Sequence, residues 1–512
     1  AASDVYKRQG IYRNGRIIYK NNETKDIVIN TYIPEIDLTI DCLKENGQVL
    51  IFHNTRARAS SLAIKLAPHI KSFLDRDERE VLKEISESIT VNDHFSKQLK
   101  ELIKNGVAFH HAGLSYPVRK LIEDNFRKRI IKVISSTTTL SAGINVPARR
   151  VIIPSIVRHN HRFYSKKISV NEYKQLAGRA GRPGYDEYGE AIIISRSKYD
   201  DDVLMEMYIK AEPEPIVSLL NSEDSLRSHI LAAVANRVIY DTESLNSLLN
   251  LTFASKKIGT YKLLRYARNV LQYLLEEGFI IEKNNRYYPT DIGKRVSELY
   301  LDPISAEVMI KFLRELYNSY KKYLTDDFLY LFIISITKDM QYLNVYKREE
   351  DLLLQKFEDY EEDFKSIFNN VDIEDILKGC KVASILYDWI EEVDESSISD
   401  KYLIGLGDLY GLIQNARWLM YSFSELAKLL NLENVARYLK VLTERVEYGV
   451  KEELLELIQI PSIGRHKARI LYNAGFRDLN KLKDAKDEQL IKLPLIGQDT
   501  ISEIRKYLGT FA

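Results

Sequence analysis

The segment Gln175-Leu-Ala-Gly-Arg-Ala-Gly-Arg-Pro183 sets two arginines, Arg179 and Arg182, three residues apart among small residues. On a continuing helix that spacing puts both guanidinium groups on one face, and Gly178 and Gly181 leave the face bare enough for a phosphate chain to approach. A guanidinium donates to two oxygens at once and keeps its charge, which suits a phosphoryl group in transfer. Upstream, a hydroxyl-rich run over residues 135–147 carries Thr137 and Thr138, then Gly143 and Asn145. Hydroxyls and amides at a strand end hold nucleic-acid phosphates without reading sequence. Two more strings read as strand ends delivering polar groups: residues 49–56, ending in Asn54, Thr55 and Arg56, and residues 109–115, with His110 and His111. The histidine pair is a poor metal site, because adjacent strand residues point to opposite faces and no third ligand has suitable spacing. In the polar stretch 155–168, basic residues flank Phe163 and Tyr164. That pattern suits a hairpin wedged between bases, where an aromatic ring replaces lost stacking.

Half of an ATP site is missing. No GxxxxGK[ST] phosphate loop and no DExH or DExD box occurs, so the lysine that holds β- and γ-phosphates and the acid that holds Mg²⁺ must come from elsewhere. The chain alone is therefore expected to lack ATPase activity.

Near the other end, Ile460-Pro-Ser-Ile-Gly464 and Leu493-Pro-Leu-Ile-Gly497 each lead into a helix. Such a glycine turn presents backbone N–H groups to a phosphate. The first unit, with Gly464, Arg465, His466, Lys467 and Arg469, is the better equipped, and the second reads as structural. Trp418 lies in a helical pattern where spacing alone favours a core position.

The elements that must position these residues follow two rhythms. Over residues 10–205, short β-branched runs at 49–52, 107–110, 131–135, 150–153 and 191–194 alternate with helical patterns, the signature of a parallel α/β sheet. Beyond 205 the pattern is helical, except for residues 279–288, two short strands around Asn284-Asn285. A helix followed by that hairpin outlines a winged helix.

Composition narrows the classes. With 512 residues, 45% hydrophobic and 29% charged, the chain has ample length for several cores and is neither disordered nor membrane-spanning. Cys42 and Cys380 fit no disulfide or zinc pattern, and no signal peptide is visible. The net charge of +1 hides a strong asymmetry. Residues 104–182 hold 16 Lys+Arg against three acids, while residues 349–400 hold 17 acids against four bases. The first stretch suits a polyanion-facing surface; the second reads as solvated helices.

Taken together, these strings resemble the archaeal Hjm-type helicases, the Ski-like branch of superfamily 2 that includes animal HelQ. Residues 175–183 look like motif VI, 135–147 like motif V and 49–56 like motif IV. The resemblance implies a multidomain α/β plus α protein. Its parts are a possible foreign leader (1–9), the second RecA-like domain (10–205), a winged helix (206–302), a helical ratchet (303–450) and a helix-hairpin-helix tail (451–512). It implies an ATP-dependent 3′→5′ DNA helicase that acts on forked or stalled replication structures in DNA repair, here without its first RecA-like domain.

Arg179 and Arg182 would then be catalytic, with Gly143, Asn145, Gln175 and Gly178 facing the nucleotide. DNA would be met by Asn54, Thr55, Arg56, His110, His111, Thr137, Thr138, Phe163, Tyr164, Trp418, Arg417, Gly464, Arg465 and Lys467. In the family the ratchet tryptophan stacks on a base, and Gly411 stands where an arginine is frequent, leaving Arg417 as its substitute. ATP and Mg²⁺ are the implied cofactors, and single-stranded and forked DNA the implied partners, along with replication or repair proteins. A monomer in the cytoplasm, associated with the nucleoid, is expected. A Ski-like RNA helicase and a nucleic-acid-binding module without ATP chemistry are the alternatives.

Overall fold

Val49–His53 is buried at every position, as a strand covered by helices on both faces must be. In the computed structural model, which describes residues 6–90, 93–138, 146–159, 165–182, 184–369 and 371–509, this strand lies inside an eight-stranded sheet. The strands are β1 (Tyr6–Arg13), β2 (Arg16–Tyr19), β3 (Thr24–Asp26), β4 (Val49–His53), β5 (Val107–His110), β6 (Val133–Thr137), β7 (Arg150–Ile153) and β10 (Tyr188–Ile194). A separate ribbon is formed by β8 (Val157–His159) and β9 (Ser165–Lys167). The sheet order is β3-β2-β1-β10-β7-β4-β6-β5; it is parallel from β1 to β5 and antiparallel across β1, β2 and β3.

The five expected strands are present, and three more precede them. Tyr6 to Gln9, within the stretch read as a possible foreign leader, pair in register with residues 188–191. Asn14 and Gly15, both at positive φ, close the β1–β2 hairpin, the conformation a tight primed turn requires. The helix Lys198–Leu204 continues into a π-helical turn, Met205–Ile209, and Tyr208 and Ile209 are buried in the core of the sheet domain. Its packing thus runs past residue 205.

A buried charge cluster crosses the sheet. Arg150, fully buried at the start of β7, donates to Glu190 Oε2 on β10 at 2.8 Å, to Asp41 at 2.8 Å and to the Leu38 carbonyl at 2.7 Å. The Tyr19 hydroxyl donates to Glu190 as well. Every hydrogen-bonding nitrogen of the guanidinium thereby finds an acceptor, the condition for burying a charge.

The chain divides into two compact units, one comprising residues 1–216 with 403–408, the other 217–402 with 409–512. Among its described residues the second is helical apart from one hairpin, β11 (Ile280–Lys283) with β12 (Arg286–Pro289). Asn284 and Asn285 turn it, at φ 53° and 58°. A long helix, Leu406–Leu429, buries Leu409, Leu412, Ala416, Leu419, Met420 and Phe423. Its apolar repeat is the 3.6-residue period read from sequence. Cys42 and Cys380 are buried and unpaired, and among the described residues no helix is long and apolar enough to cross a membrane.

Candidate functional site

The helix Val170–Ala177 begins at Ser169, whose hydroxyl accepts from the Glu172 amide at 3.0 Å, and it stops at Gly178. Ala180 then bridges to Ala148, and the Gly181 amide donates to the Ala148 carbonyl at 2.7 Å. Gly181 takes φ +92° to make the turn. The two arginines therefore do not share a helical face, which corrects the expectation: the i, i+3 rule holds only while the helix continues. Arg179 stays partly exposed beside exposed Gln175 and Gly178, and partial burial draws its guanidinium below the ordinary arginine range.

Arg182 turns inward. It is 6% exposed, donates to both Asp186 carboxylate oxygens at 2.6 and 2.7 Å, and reaches Gln48 Oε1 at 2.7 Å. Gly143 and Asn145 lie outside the described residues.

Most side chains expected at the nucleic-acid groove are used within the protein. The Asn54 amide donates to the carbonyls of Ser155, at 3.4 Å, and Val157, tying the end of β4 to the root of the β8–β9 ribbon. Thr55 caps the helix Arg56–Ile70 by accepting from the Arg58 amide. Arg56 grips both oxygens of Asp408, whose side chain is only 3% exposed. His110 is buried and bonded to Glu123 at 2.9 Å. His111 is fully buried, stacked 5.3 Å from the Phe109 ring. Neither histidine faces a groove. Thr137 is buried and Thr138 accepts from Arg158 at 2.8 Å. Phe163 and Tyr164 lie outside the described residues. Among the described residues, no group of three His, Cys, Asp or Glu is placed to hold a metal ion.

The positive groups that do face open space were not singled out by sequence. A cleft of about 470 Å³ at the ends of β4 and β7 is lined by Arg58, Lys65 and Arg196, together with Glu35 and a buried His53 whose pKa burial and the Arg58 charge push down to about 4. Their signal is only spatial: they converge from two helix turns and a loop after β10.

His111 also sets a pH dependence. Burial, then the charge of Arg56, push its pKa down to about 3, with Asp408 opposing and His110 and Arg119 adding to the fall. The unfolded chain binds the proton first, below about pH 6.5, so the stabilisation is complete above that value. It drains as pH falls toward 3, at up to about 1.4 kcal/mol per pH unit. Neither ring nitrogen has a hydrogen-bond partner, so His111→Phe loses no bond. Urea unfolding at pH 7 and pH 5 is expected to show a shallower acid decline in the variant; an unchanged decline would contradict the assignment.

In the second unit, Trp418 is half-buried and lines a groove of about 670 Å³ with Gln414, Arg417, Tyr421, Lys428 and Lys440. Its indole N–H donates to the Leu299 carbonyl at 2.9 Å. Arg417 pairs with Glu447 at 3.0 Å across this groove. At Gly411 a side chain would begin 3.2 Å from Gln341 Oε1.

The tail reverses an expectation. Arg465 is 7% exposed, lies 4.2 Å over the Trp389 ring and donates to the Val393 carbonyl at 2.7 Å. Lys467 donates to the Ser462 carbonyl and the Thr500 hydroxyl, and Arg469 to Glu392. Arg465 and Arg469 are thus spent docking the tail on the helices before it, and Lys467 on a bond within the tail, although Gly464 itself is open. In the second turn Gly497 is also open, and Leu495 is 67% exposed.

A mostly parallel sheet with a Gly-Arg loop before one of its strands, in a chain that also has a hairpin-bearing helical unit, fits one motor domain of a superfamily 2 helicase. The family description "Helicase conserved C-terminal domain" matches residues 29–184 and "Helix-turn-helix domain" residues 189–281. "Archaeal helicase, domain 4" matches residues 328–449, and "SAM-like Helix-hairpin-helix tandem" residues 454–510. The chain is 36% identical over 511 residues to the ATP-dependent DNA helicase Hel308 of Pyrococcus horikoshii, covering 99% of this chain and 69% of that protein. It is 37% identical to Hel308 of Methanocella arvoryzae, covering 98% of this chain and 68% of that one. The chain belongs to the Hel308 family of ATP-dependent DNA helicases.

Proposed function

We propose that this chain supplies the second motor domain and the DNA grip of a helicase that moves 3′→5′ on single strands and opens forked or stalled replication structures during repair. The observation that carries this reading is the Trp418 groove, an indole with Arg417 and Lys428 on one long helix and Lys440 on the helix Glu433–Tyr448. Arg417 and Lys428 also pair with Glu447 and Glu425. Aromatic faces beside cations hold single strands of any sequence.

Backbone phosphates would meet Arg58, Lys65 and Arg196 in the cleft beside β4. The nucleotide's phosphates would be met by Arg179, with Gln175 and Gly178 leaving room at the helix end. Mg²⁺ and the remaining phosphate contacts would come from a first motor domain, and ATP hydrolysis would supply the displacement.

Binding is expected to be independent of sequence and steeply salt-dependent. With four to six phosphates neutralised at about −0.7 each, log affinity for single-stranded DNA should fall with log salt at a slope of roughly −3 to −4. Affinity unchanged between low and physiological salt would refute the cationic surface. Competition by matched RNA at equal strength would favour an RNA helicase instead, and duplexes with opposite tails test the polarity.

A further inference from the structure

The helix Val170–Ala177 has only eight residues, and Gly178 and Arg179 follow it directly. A helix of that length is marginal by itself, so the groups that hold it decide where the Arg179 guanidinium stands. Part of the hold comes from residues 205–214, in the same compact unit. Tyr208 is 2% exposed. Its hydroxyl donates to the Ile168 carbonyl at 2.8 Å, and its ring meets the Tyr173 ring edge-on at 5.6 Å. The neighbouring Ile209 carbonyl accepts from Lys174 Nζ at 3.3 Å. Both residues belong to the π-helical turn Met205–Ile209, closed by the Lys210 amide on the Met205 carbonyl at 2.9 Å. Turns of this kind recur at functional sites.

The chain then reads Glu212-Pro-Glu-Pro215, outside any helix or strand. Each proline fixes its own φ and restricts the residue before it, so Glu214 is presented on a stiff backbone. Its carboxylate accepts from the Val170 amide at 3.0 Å, and its carbonyl accepts from Asn171 Nδ2 at 3.0 Å. Val170 is the first residue of the helix, where an N–H has no acceptor within the helix itself. The Ser169 hydroxyl takes the Glu172 amide, so two side chains share the free donors. A negative charge at that end also suits the helix dipole.

We propose that residues 205–214 are a strap that positions Arg179: Tyr208 and Glu214 fix the start of the helix Val170–Ala177 and thereby set the place from which Arg179 meets the nucleotide's phosphates. Both act through the helix, as positioning residues. Eight residues span about 12 Å, so a tilt at the start carries through to the end. A misplacement of about 1 Å at a reacting group can cost about 10²-fold in rate. The proposal rests on the reading that Arg179 contacts the nucleotide.

The test uses the complete helicase with its first motor domain. Glu214→Ala, Glu214→Gln and Tyr208→Phe are each made in the parent and in an Arg179→Ala background. Melting temperature, single-strand affinity, and kcat and KM for DNA-stimulated ATP hydrolysis are measured on every variant. Glu214 is exposed, so its replacements should melt with the parent. Glu214→Ala is expected to lower kcat by about fivefold with strand affinity unchanged. Glu214→Gln keeps an accepting oxygen and should recover most of that loss. Tyr208→Phe keeps the ring, gives up one bond and should fall by about two- to threefold. Once Arg179 is gone, none of the three should lower kcat further, because no guanidinium is left to misplace. Equal losses in both backgrounds, a loss that tracks the folded fraction, or an unchanged kcat in Glu214→Ala would overturn the strap. Parental turnover in Arg179→Ala alone would instead overturn the reading beneath it, and the strap with it.

Discussion

In the complete helicase, Arg179→Ala is expected to lower kcat for ATP hydrolysis by about 10²-fold or more in its folded form, the order of an arginine-finger loss, with DNA affinity near that of the parent. Arg179 stands at a helix end beside exposed Gln175 and Gly178, where a phosphate can reach it. Arg182→Ala should behave differently. It deletes one half of a buried ion pair, leaves Asp186 uncompensated and frees the Gln48 amide oxygen. Breaking such a pair costs about 3–5 kcal/mol, so the variant should melt early and lose activity with its folded fraction. Steady-state kinetics and thermal melts on the two variants separate these outcomes. An Arg182→Ala protein that melts normally yet fails to turn over ATP would put Arg182 back among the catalytic groups.

Trp418→Ala is expected to weaken single-strand binding by about 1–3 kcal/mol, the range for loss of a stacked base. The stability cost should stay below the about 3–5 kcal/mol of a fully buried ring, because this one is half open to its groove. The bond from its indole N–H to Leu299 adds a second component. Trp418→Phe keeps an aromatic face and gives up that bond, so it should recover much of the affinity while remaining about 1 kcal/mol less stable than the parent. A large fall in melting temperature with unaltered affinity in Trp418→Ala would make the ring a structural one.

The sequence carried the architecture well where the information is local. Runs such as Val49-Leu-Ile-Phe52 and Arg150-Val-Ile-Ile153 are short, β-branched and bracketed by turns, and each is a strand. Asn284-Asn285 announced its hairpin for the same reason. Asn14-Gly15, between Ile11-Tyr12 and Ile17-Ile18, is an equally good hairpin signal that the strand rhythm read over residues 10–205 did not include.

What stayed illegible is non-local. Nothing near Arg182 points to Gln48, 134 positions away, as its second acceptor, and nothing near Arg56 points to Asp408. A cation in a motif reads as available for phosphate, while the folded chain decides whether a carboxylate claims it first. The first glycine turn of the tail makes the same point: its arginines look ready for DNA and are held by Trp389, Val393 and Glu392.

The charge cluster around Arg150 has a thermal side. Hydration of isolated ions weakens as water is heated, so the penalty for keeping Arg150, Glu190 and Asp41 away from solvent shrinks with temperature, while apolar burial gains little more per unit area. A sheet pinned by such a cluster loses less of its hold on warming than one pinned by hydrocarbon contacts alone. The strands that carry the Gly-Arg loop are tied together at that point, with Arg150 on β7 and Glu190 on β10. The registry between the Gly-Arg loop and the sheet beneath it is therefore held by a contact that loses little of its strength on heating.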